Sequence, residues 1–445
     1  MVVAIGGFDM KFYNREEEIR YLNEILKLSK RNSKMIFITG RRRIGKTRLL
    51  LEAFKGENYI YLFVSKKDEA LLCEEFVSIV EKATGKKPFG KIEKISQLLE
   101  FIFEISKERH LILIIDEFQD FYFVNNSVFS DFQRLWDLNK DNSKLLLIFS
   151  GSIYTLMKKI FEGRKEPLFG RVSGKIILTP LDIKVLKSIY NDNVKEFNAR
   201  DFLTFYILTG GVPRYTEIFV DNNAMSFDSM LNLILSSYSF FIDEGKELLI
   251  EELGSEYRTY FSILSLIASS KTSRSEIESI LGKSVGGYLS VLENEYNIIE
   301  KIRPVFSKQN SRLIKYRIID NFLNFWFRFI YKYRTLVEIK NFSALKEIVK
   351  RDFDTFSGIL LEKYFGEKLI QSGKYTLIGN YWERGHKNKI DIIAIDEREK
   401  RALIADVKLK KDKLDMKLLK KKSEKILVKL KDYRVKYRGF SIDDI

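Results

Sequence analysis

The chain alternates short, unbroken apolar runs with longer segments whose apolar residues recur every three or four positions, the pattern of an α/β protein. "SKMIFITG" (33–40), "HLILIIDEFQD" (110–120) and "KLLLIFSGS" (144–152) are apolar runs ending in small or acidic residues, as expected of strands buried on both faces of a sheet. "RLLLEAF" continues the first as a helix, and residues 181–255 alternate helical patterns around a break at Gly210 and Gly211. "YRTYFSILSLIASS" (257–270), "SRSEIESIL" (273–281) and "VGGYLSVLENEYNIIEK" (285–301) predict three more helices, the last turning into a strand. The second opens with Ser273 three residues before Glu276, a capping-box spacing. "RPVF" and "KYRIID" (315–320) suggest a hairpin around a loop at 307–313, completing a winged helix-turn-helix. "IIDNFLNFWFRFIYKYR" (318–334) is apolar nearly all round, which predicts a helix buried in a core or between domains. Beyond it, Ile390–Ile395 and Ala402–Leu409 read as two strands joined by the turn-like "DEREKR".

Size and composition refine this picture. With 445 residues and 45% hydrophobic content, about three domains with real cores are expected. The only cysteine, Cys73, excludes an intrachain disulfide and fits a reducing cytoplasm. The histidines, His110 and His386, are too few and too far apart in sequence for a structural zinc site, so a catalytic metal would be held by oxygens, which favours Mg²⁺. No segment approaches the ~18 apolar residues of a membrane span, and the start, "MVVAIGGFDM", does not read as a signal peptide. The net charge of +16 points to a polyanionic partner, and nucleic acid, DNA before RNA, is the expectation. A membrane is not expected; an oligomer or protein partner is left open.

The first apolar run ends in Gly40-x4-Gly45-Lys46-Thr47 and passes straight into a helix. This is the strand–loop–helix setting of a phosphate-binding loop. Its glycines let backbone N–H groups curl around a β-phosphate, Lys46 reaches the β/γ oxygens, and Thr47 offers a hydroxyl to Mg²⁺. Gly40, Arg43, Ile44, Gly45, Lys46, Thr47 and Arg48 are thus expected around the phosphates of ATP. The second run ends in Asp116-Glu117. There Asp116 is expected to hold Mg²⁺ and Glu117 to orient or deprotonate the attacking water. At the end of the third run, Ser150 or Ser152 is placed to touch the γ-phosphate or that water, or simply ends the strand.

With "FYNREEEIRYL" (12–22), "GRRRIGKT" (40–47), "IIDEFQ" (114–119), "SGS" (150–152), "PLFGR" (167–171) and "GGVPRY" (210–215) in order, the first half resembles the archaeal ATPase family, a branch of the STAND-type, AAA-related P-loop ATPases. The resemblance implies an additional-strand P-loop core followed by a helical lid. It also implies that Arg171 is the arginine near the γ-phosphate and Pro213 the lid residue near the base. Read from the residues alone, Arg171 is equally a surface arginine and Gly211-Val212-Pro213 a helix break.

For the winged-helix segment two roles stay open. One is a DNA reader, through a loop carrying Lys308, Arg312 and Lys315. The other is an interdomain connector, because the third helix carries little basic charge. In the last domain, a turn centred between Arg398 and Glu399 sets Asp391 across from Asp406, with Lys408 on the same face. Two acids for Mg²⁺ and a lysine for the developing charge form a phosphodiester-cutting set. The set resembles the PD-(D/E)xK nuclease fold, and the archaeal family's C-terminal domain is restriction-endonuclease-like. That pattern implies a third metal ligand on the preceding helix, here Glu362. It also implies an acid just before Ile390 and a Glu at 406, where this chain has Lys389 and Asp406. The basic tail that follows suits an amphipathic helix, with Leu414, Met416, Leu418, Leu419, Ile426 and Leu430 on its apolar face.

The expected architecture is α/β. It comprises a P-loop ATPase core with a parallel sheet (1–180), a helical lid (181–255), a winged helix (256–320) and an α/β nuclease-like domain with a basic end (321–445). Two functions follow: an ATPase whose nucleotide state gates a nuclease, or a regulatory switch whose last domain only binds.

Overall fold

The computed structural model describes residues 10–253, 257–308, 311, 313–384 and 388–445. The first nine residues, Arg312 and His386, all used above, lie outside the described residues. The chain divides into two compact units, one spanning Tyr13–Pro180 and the other Leu181–Ile445 with the segment ending at Phe12.

The first unit is built on strands β1 (Lys34–Thr39), β2 (Tyr59–Phe63), β3 (Leu111–Asp116), β4 (Leu145–Gly151) and β5 (Gly174–Ile177). They run parallel in the order β2-β3-β4-β1-β5. β4 is thus inserted between the strand that feeds the phosphate loop and the strand that ends in Asp116. β1, β3 and β4 are buried almost throughout, which explains why their sequences are continuous apolar runs rather than alternations. One face of the sheet packs on the helices Glu69–Thr84, Ile95–Glu108 and Val128–Asn139 in a core crowded with phenylalanines. Phe118 alone meets Phe121, Phe129, Phe132, Phe149 and Phe161.

The second unit begins with helices, Ile183–Asp192 and Ala199–Thr209 among them. The helices Tyr257–Ala268, Arg274–Leu281 and Gly286–Asn294 follow. Ser273 and Glu276 form the reciprocal capping bonds their spacing suggested. A two-stranded antiparallel hairpin pairs β6 (Ile299–Ile302) with β7 (Lys315–Ile318). "RPVF" is therefore not a strand. Val305 leaves the hairpin, donates its N–H to the carbonyl of Asn380 at 2.9 Å, and joins a core with Ile390, Ile393, Ile404 and Leu419. Val305, in the connection between the two hairpin strands, thus belongs to the core of the final sheet.

The aromatic segment is buried as expected, its α-helix Asn321–Phe325 passing into a π-helical stretch at Trp326–Tyr331. Trp326 donates its indole N–H to the carbonyl of Ile242 at 2.8 Å, and a side chain at Gly245 would collide with its ring.

The final sheet contains β8 (Leu377–Tyr381), β9 (Ile390–Asp396), β10 (Arg401–Val407) and β11 (Arg434–Phe440), in the order β11-β10-β9-β8. The β8–β9 and β9–β10 pairs are antiparallel and the β10–β11 pair is parallel. The long helix Phe342–Gln371 precedes the sheet, and the basic helix Met416–Leu427 crosses from β10 to β11. On that last helix Leu419, Ser423 and Ile426, with Leu430 beyond its end, face the sheet at spacings of three and four. Leu418 falls about one hundred degrees off this stripe and is 45% exposed, so it does not belong to the apolar face.

Candidate functional sites

The phosphate loop leaves β1 at Gly40, where a Cβ would sit 2.7 Å from the carbonyl oxygen of Leu178. It ends at Gly45, whose φ of 89° caps the helix Lys46–Ala53. Ile44 is buried and anchors the loop from below, while Arg43 turns through a left-handed φ of 69°. Lys46 is buried and its ammonium donates to the carbonyls of Gly40 (2.9 Å) and Arg41 (3.4 Å). Arg48 lies half-buried on the first turn of the helix.

β3 delivers its two acids to the same end of the sheet. Thr47 donates its hydroxyl to Asp116 Oδ2 at 3.1 Å, and Tyr61 donates to the same oxygen at 2.5 Å. Burial and the adjacent Asp116 push the Tyr61 hydroxyl well above its ordinary value, so it remains a donor. Glu117 has a left-handed φ of 52°, which turns it out of the strand. Its Oε2 accepts from the Ser152 hydroxyl (2.6 Å), the Ser152 N–H (3.2 Å) and the Gln119 amide (2.6 Å). Gly151 allows this, since a Cβ there would lie 2.3 Å from Gln119 Oε1. Ser150 Oγ and Gln119 Oε1 are buried without a hydrogen-bond partner. Buried polar atoms left unpaired at the mouth of a phosphate loop fit a site whose ligand completes it.

Arg171 and Pro213 are placed by other contacts. Arg171 forks onto Asp137, with bonds of 2.8, 3.1 and 3.2 Å, and donates to the carbonyl of Pro167 at 2.8 Å. A guanidinium so held must leave Asp137 before it can reach a phosphate. Pro213 is the first residue of the helix Pro213–Asp221, after two glycines at positive φ, and belongs to the second unit.

Sequence reasoning did not single out Tyr61 or Gln119. Only the structure places Tyr61 here: in the parallel register Phe63 pairs with Asp116, so Tyr61 lies two residues back on the same face.

In the C-terminal sheet the register runs from Arg401 opposite Asp396 to Ala405 opposite Ile392. One step further sets Asp406 across from Asp391, as the turn position predicted. Lys408 donates to Asp406 Oδ1 (2.9 Å) and Asp391 Oδ2 (3.2 Å). Glu362, on the long helix, joins them through Lys389, whose ammonium lies 2.6 Å from Glu362 Oε1 and 2.9 Å from Asp391 Oδ1. The four expected residues do converge. They converge around two ammoniums, however, and among the described residues no three metal-ligating side chains form a group fit to hold an ion. Lys389 thus stands between two members, Glu362 and Asp391, of the set expected to hold Mg²⁺.

Burial and the nearby Asp391 push Glu362 above the usual carboxylate range. Burial also acts to raise Asp391, but the Lys389 charge, the Val407 N–H, a hydrogen bond with Asp406 and the Lys408 charge outweigh it and hold the group low. Lys315, assigned above to a DNA-contacting loop, is instead half-buried with its ammonium 4.7 Å from the centre of the Trp382 ring.

A family model described as an ATPase domain predominantly from Archaea matches residues 12–219, and one described as archaeal and bacterial proteins of unknown function matches residues 326–426. An uncharacterized protein of Methanocaldococcus jannaschii is 32% identical over 440 residues, covering 96% of this chain and 94% of its own. An uncharacterized ATP-binding protein of the same organism is 26% identical over 157 residues, covering 34% of this chain and 46% of its own. Among solved structures, the Walker-type ATPase PABY2304 of Pyrococcus abyssi superposes with a TM-score of 0.54 at 20% identity, covering 72% of this chain and 99% of that one.

Proposed function

The chain belongs to the ATPase family found predominantly in Archaea and is a P-loop ATPase, and from that premise we propose that it is an ATP-driven switch whose nucleotide state gates a C-terminal nucleic-acid-binding domain. The observation that carries the first part is the pair of carboxylates at the end of β3, held by uncharged donors beside the phosphate loop. Lys46, already at hydrogen-bond distance from two neutral carbonyls, exchanges them for β- and γ-phosphate oxygens, which bind an ammonium more strongly. Thr47 and Asp116 are the residues to hold Mg²⁺, which when bound offsets phosphate charge. Glu117 orients the attacking water and takes its proton once Ser152 and Gln119 release it. Ser150 contributes its unpartnered hydroxyl to the γ-phosphate side of the site.

Three observations support the second part: the net charge of +16, the exposed row Lys417, Lys420, Lys421 and Lys425 on the basic helix, and the nuclease-like succession of helix and strands before it. The three-helix and hairpin segment fits a winged-helix connector, since Val305 in the hairpin's connection packs into the core of the final sheet and Lys315 lies over the Trp382 ring. No described helix is long and apolar enough to cross a membrane.

The test measures ATP hydrolysis and binding of labelled duplex and single-stranded nucleic acid, with and without ATP. Lys46→Ala should lose hydrolysis by at least a hundredfold. Glu117→Gln should hold ATP without turnover and lock nucleic-acid affinity in its ATP value. Affinity identical with ATP, ADP and no nucleotide would sink the switch.

A further inference from the structure

We propose that the C-terminal centre of Glu362, Asp391 and Asp406 is an ammonium-filled site that takes no divalent cation, with Lys389 standing where the metal would sit. The proposal deepens the nuclease-like reading above, which is what leads one to expect a metal there.

Distances and charge carry the argument. Lys389 comes from the residue just before β9, a position from which a short acidic side chain would add to the negative charge. Its ammonium instead spans Glu362 on the long helix and Asp391 on β9, at 2.6 and 2.9 Å. A divalent cation bridging these two acids needs the same two oxygens at about 2.1 Å. The second oxygen of Asp391 already accepts from the Val407 N–H at 2.9 Å and from Lys408 at 3.2 Å. Asp406 shares Lys408 at 2.9 Å. Asp391 and Asp406 are both buried. Three carboxylates therefore meet two ammoniums: Lys408, already part of the expected set, and Lys389, which fills the place between Glu362 and Asp391. A further divalent ion would enter against both. The centre is then a clamp joining one helix to two strands, and the domain binds without cutting.

The experiment uses the full chain, free of nucleotide, in an Asp116→Asn background so that the ATP centre adds no metal. Mn²⁺ binding is followed by electron paramagnetic resonance, with circular dichroism to confirm folding. The parent should hold no Mn²⁺ at this centre. Lys389→Glu, and separately the near-isosteric Lys389→Met, should each gain one Mn²⁺ per chain with an affinity at least tenfold higher, and Asp391→Asn added to either should abolish it. A parent that binds Mn²⁺ and loses it with Asp391→Asn overturns the proposal. Folded Lys389 variants that gain no Mn²⁺ overturn it too, because Lys389 is then not what excludes the ion. If neither Lys389 variant folds, the parent titration alone decides, binding counting against the proposal and its absence for it. Nucleic-acid binding is read separately by anisotropy in EDTA. Its failure would remove the proposed partner and leave the metal result standing.

Discussion

The molecule holds two sets of acids, one at a strand end and one between a helix and two strands, and they are solvated by opposite means. Around Asp116 and Glu117 the donors are hydroxyls, an amide and two backbone N–H groups. Around Glu362, Asp391 and Asp406 they include the ammoniums of Lys389 and Lys408. Uncharged donors fix the geometry of a carboxylate but leave its charge in place, so the first set still attracts a cation. Ammoniums cancel the charge as they fix the geometry, so the second set has no such demand. The same residue types thus make a site in one unit and a clamp in the other.

The sharpest way to break the second arrangement is to remove its central acid. Asp391→Ala removes the acid that Lys389 and Lys408 share and leaves the buried Val407 N–H without its acceptor; each lysine keeps a second carboxylate, and the combined loss should be about 3 kcal/mol. A fall in the urea midpoint at unchanged slope checks it. A stability within error of the parent would mean that the lysines relax into solvent and that the clamp contributes little.

Converting the first centre into the second is the complementary change. Tyr61→Lys sets an ammonium where a neutral hydroxyl now meets Asp116. It should lower Mg²⁺-dependent ATP hydrolysis about a hundredfold, close to 3 kcal/mol in the barrier, while Tyr61→Phe loses only a hydrogen bond and should stay within about tenfold. Equal losses in both variants would show that the hydroxyl matters and the charge does not.

Two bonds of the three on Glu117 Oε2 come from Ser152. Ser152→Ala removes the hydroxyl bond and keeps the backbone one, an effect of about 1 kcal/mol. If Ser152 restrains the acid between turnovers, hydrolysis rises or falls severalfold with no change in ATP affinity. A change confined to ATP affinity would place Ser152 on the nucleotide instead.

The smallest effect concerns His110, which sits at the start of β3 with its Nε2 2.8 Å from the Ser29 hydroxyl. Burial, then the charge of Lys30, lowers its pKa in the folded chain. The unfolded chain therefore takes up the proton first as pH falls through the ordinary histidine value, and stability declines there. His110→Gln should flatten that part of the stability profile between about pH 7 and 5.

Much of this was legible beforehand, and the limits have physical reasons. The strands of the parallel sheet are continuous apolar runs because both faces are covered, and a run of that kind ending in Gly-x4-Gly-Lys-Thr has few other meanings. The pairing of Asp391 with Asp406 followed from the position of one turn, since a hairpin's register is set by its turn. "RPVF" failed as a strand because Val305 is claimed by the core of the last sheet, a long-range contact that no local pattern carries. Leu418 was misplaced because the stripe is decided by what the helix lies against, and a Leu-Leu pair permits either choice.

What the sequence determined by itself is what depends on neighbours along the chain: the phosphate loop, the strand ends that carry acids, the caps and the turn register. What only the tertiary structure decided is which charges meet. Lys389 was visible as a basic residue at a position where an acid was expected, but its partners lie on a helix twenty-seven residues earlier and on its own strand. Arg171 was visible beside a turn, but Asp137, which holds it, comes from a helix thirty-four residues away. Electrostatic attraction acts through space and is indifferent to sequence separation, so the packing of elements, and no motif, sets whether a lysine serves a phosphate or a carboxylate.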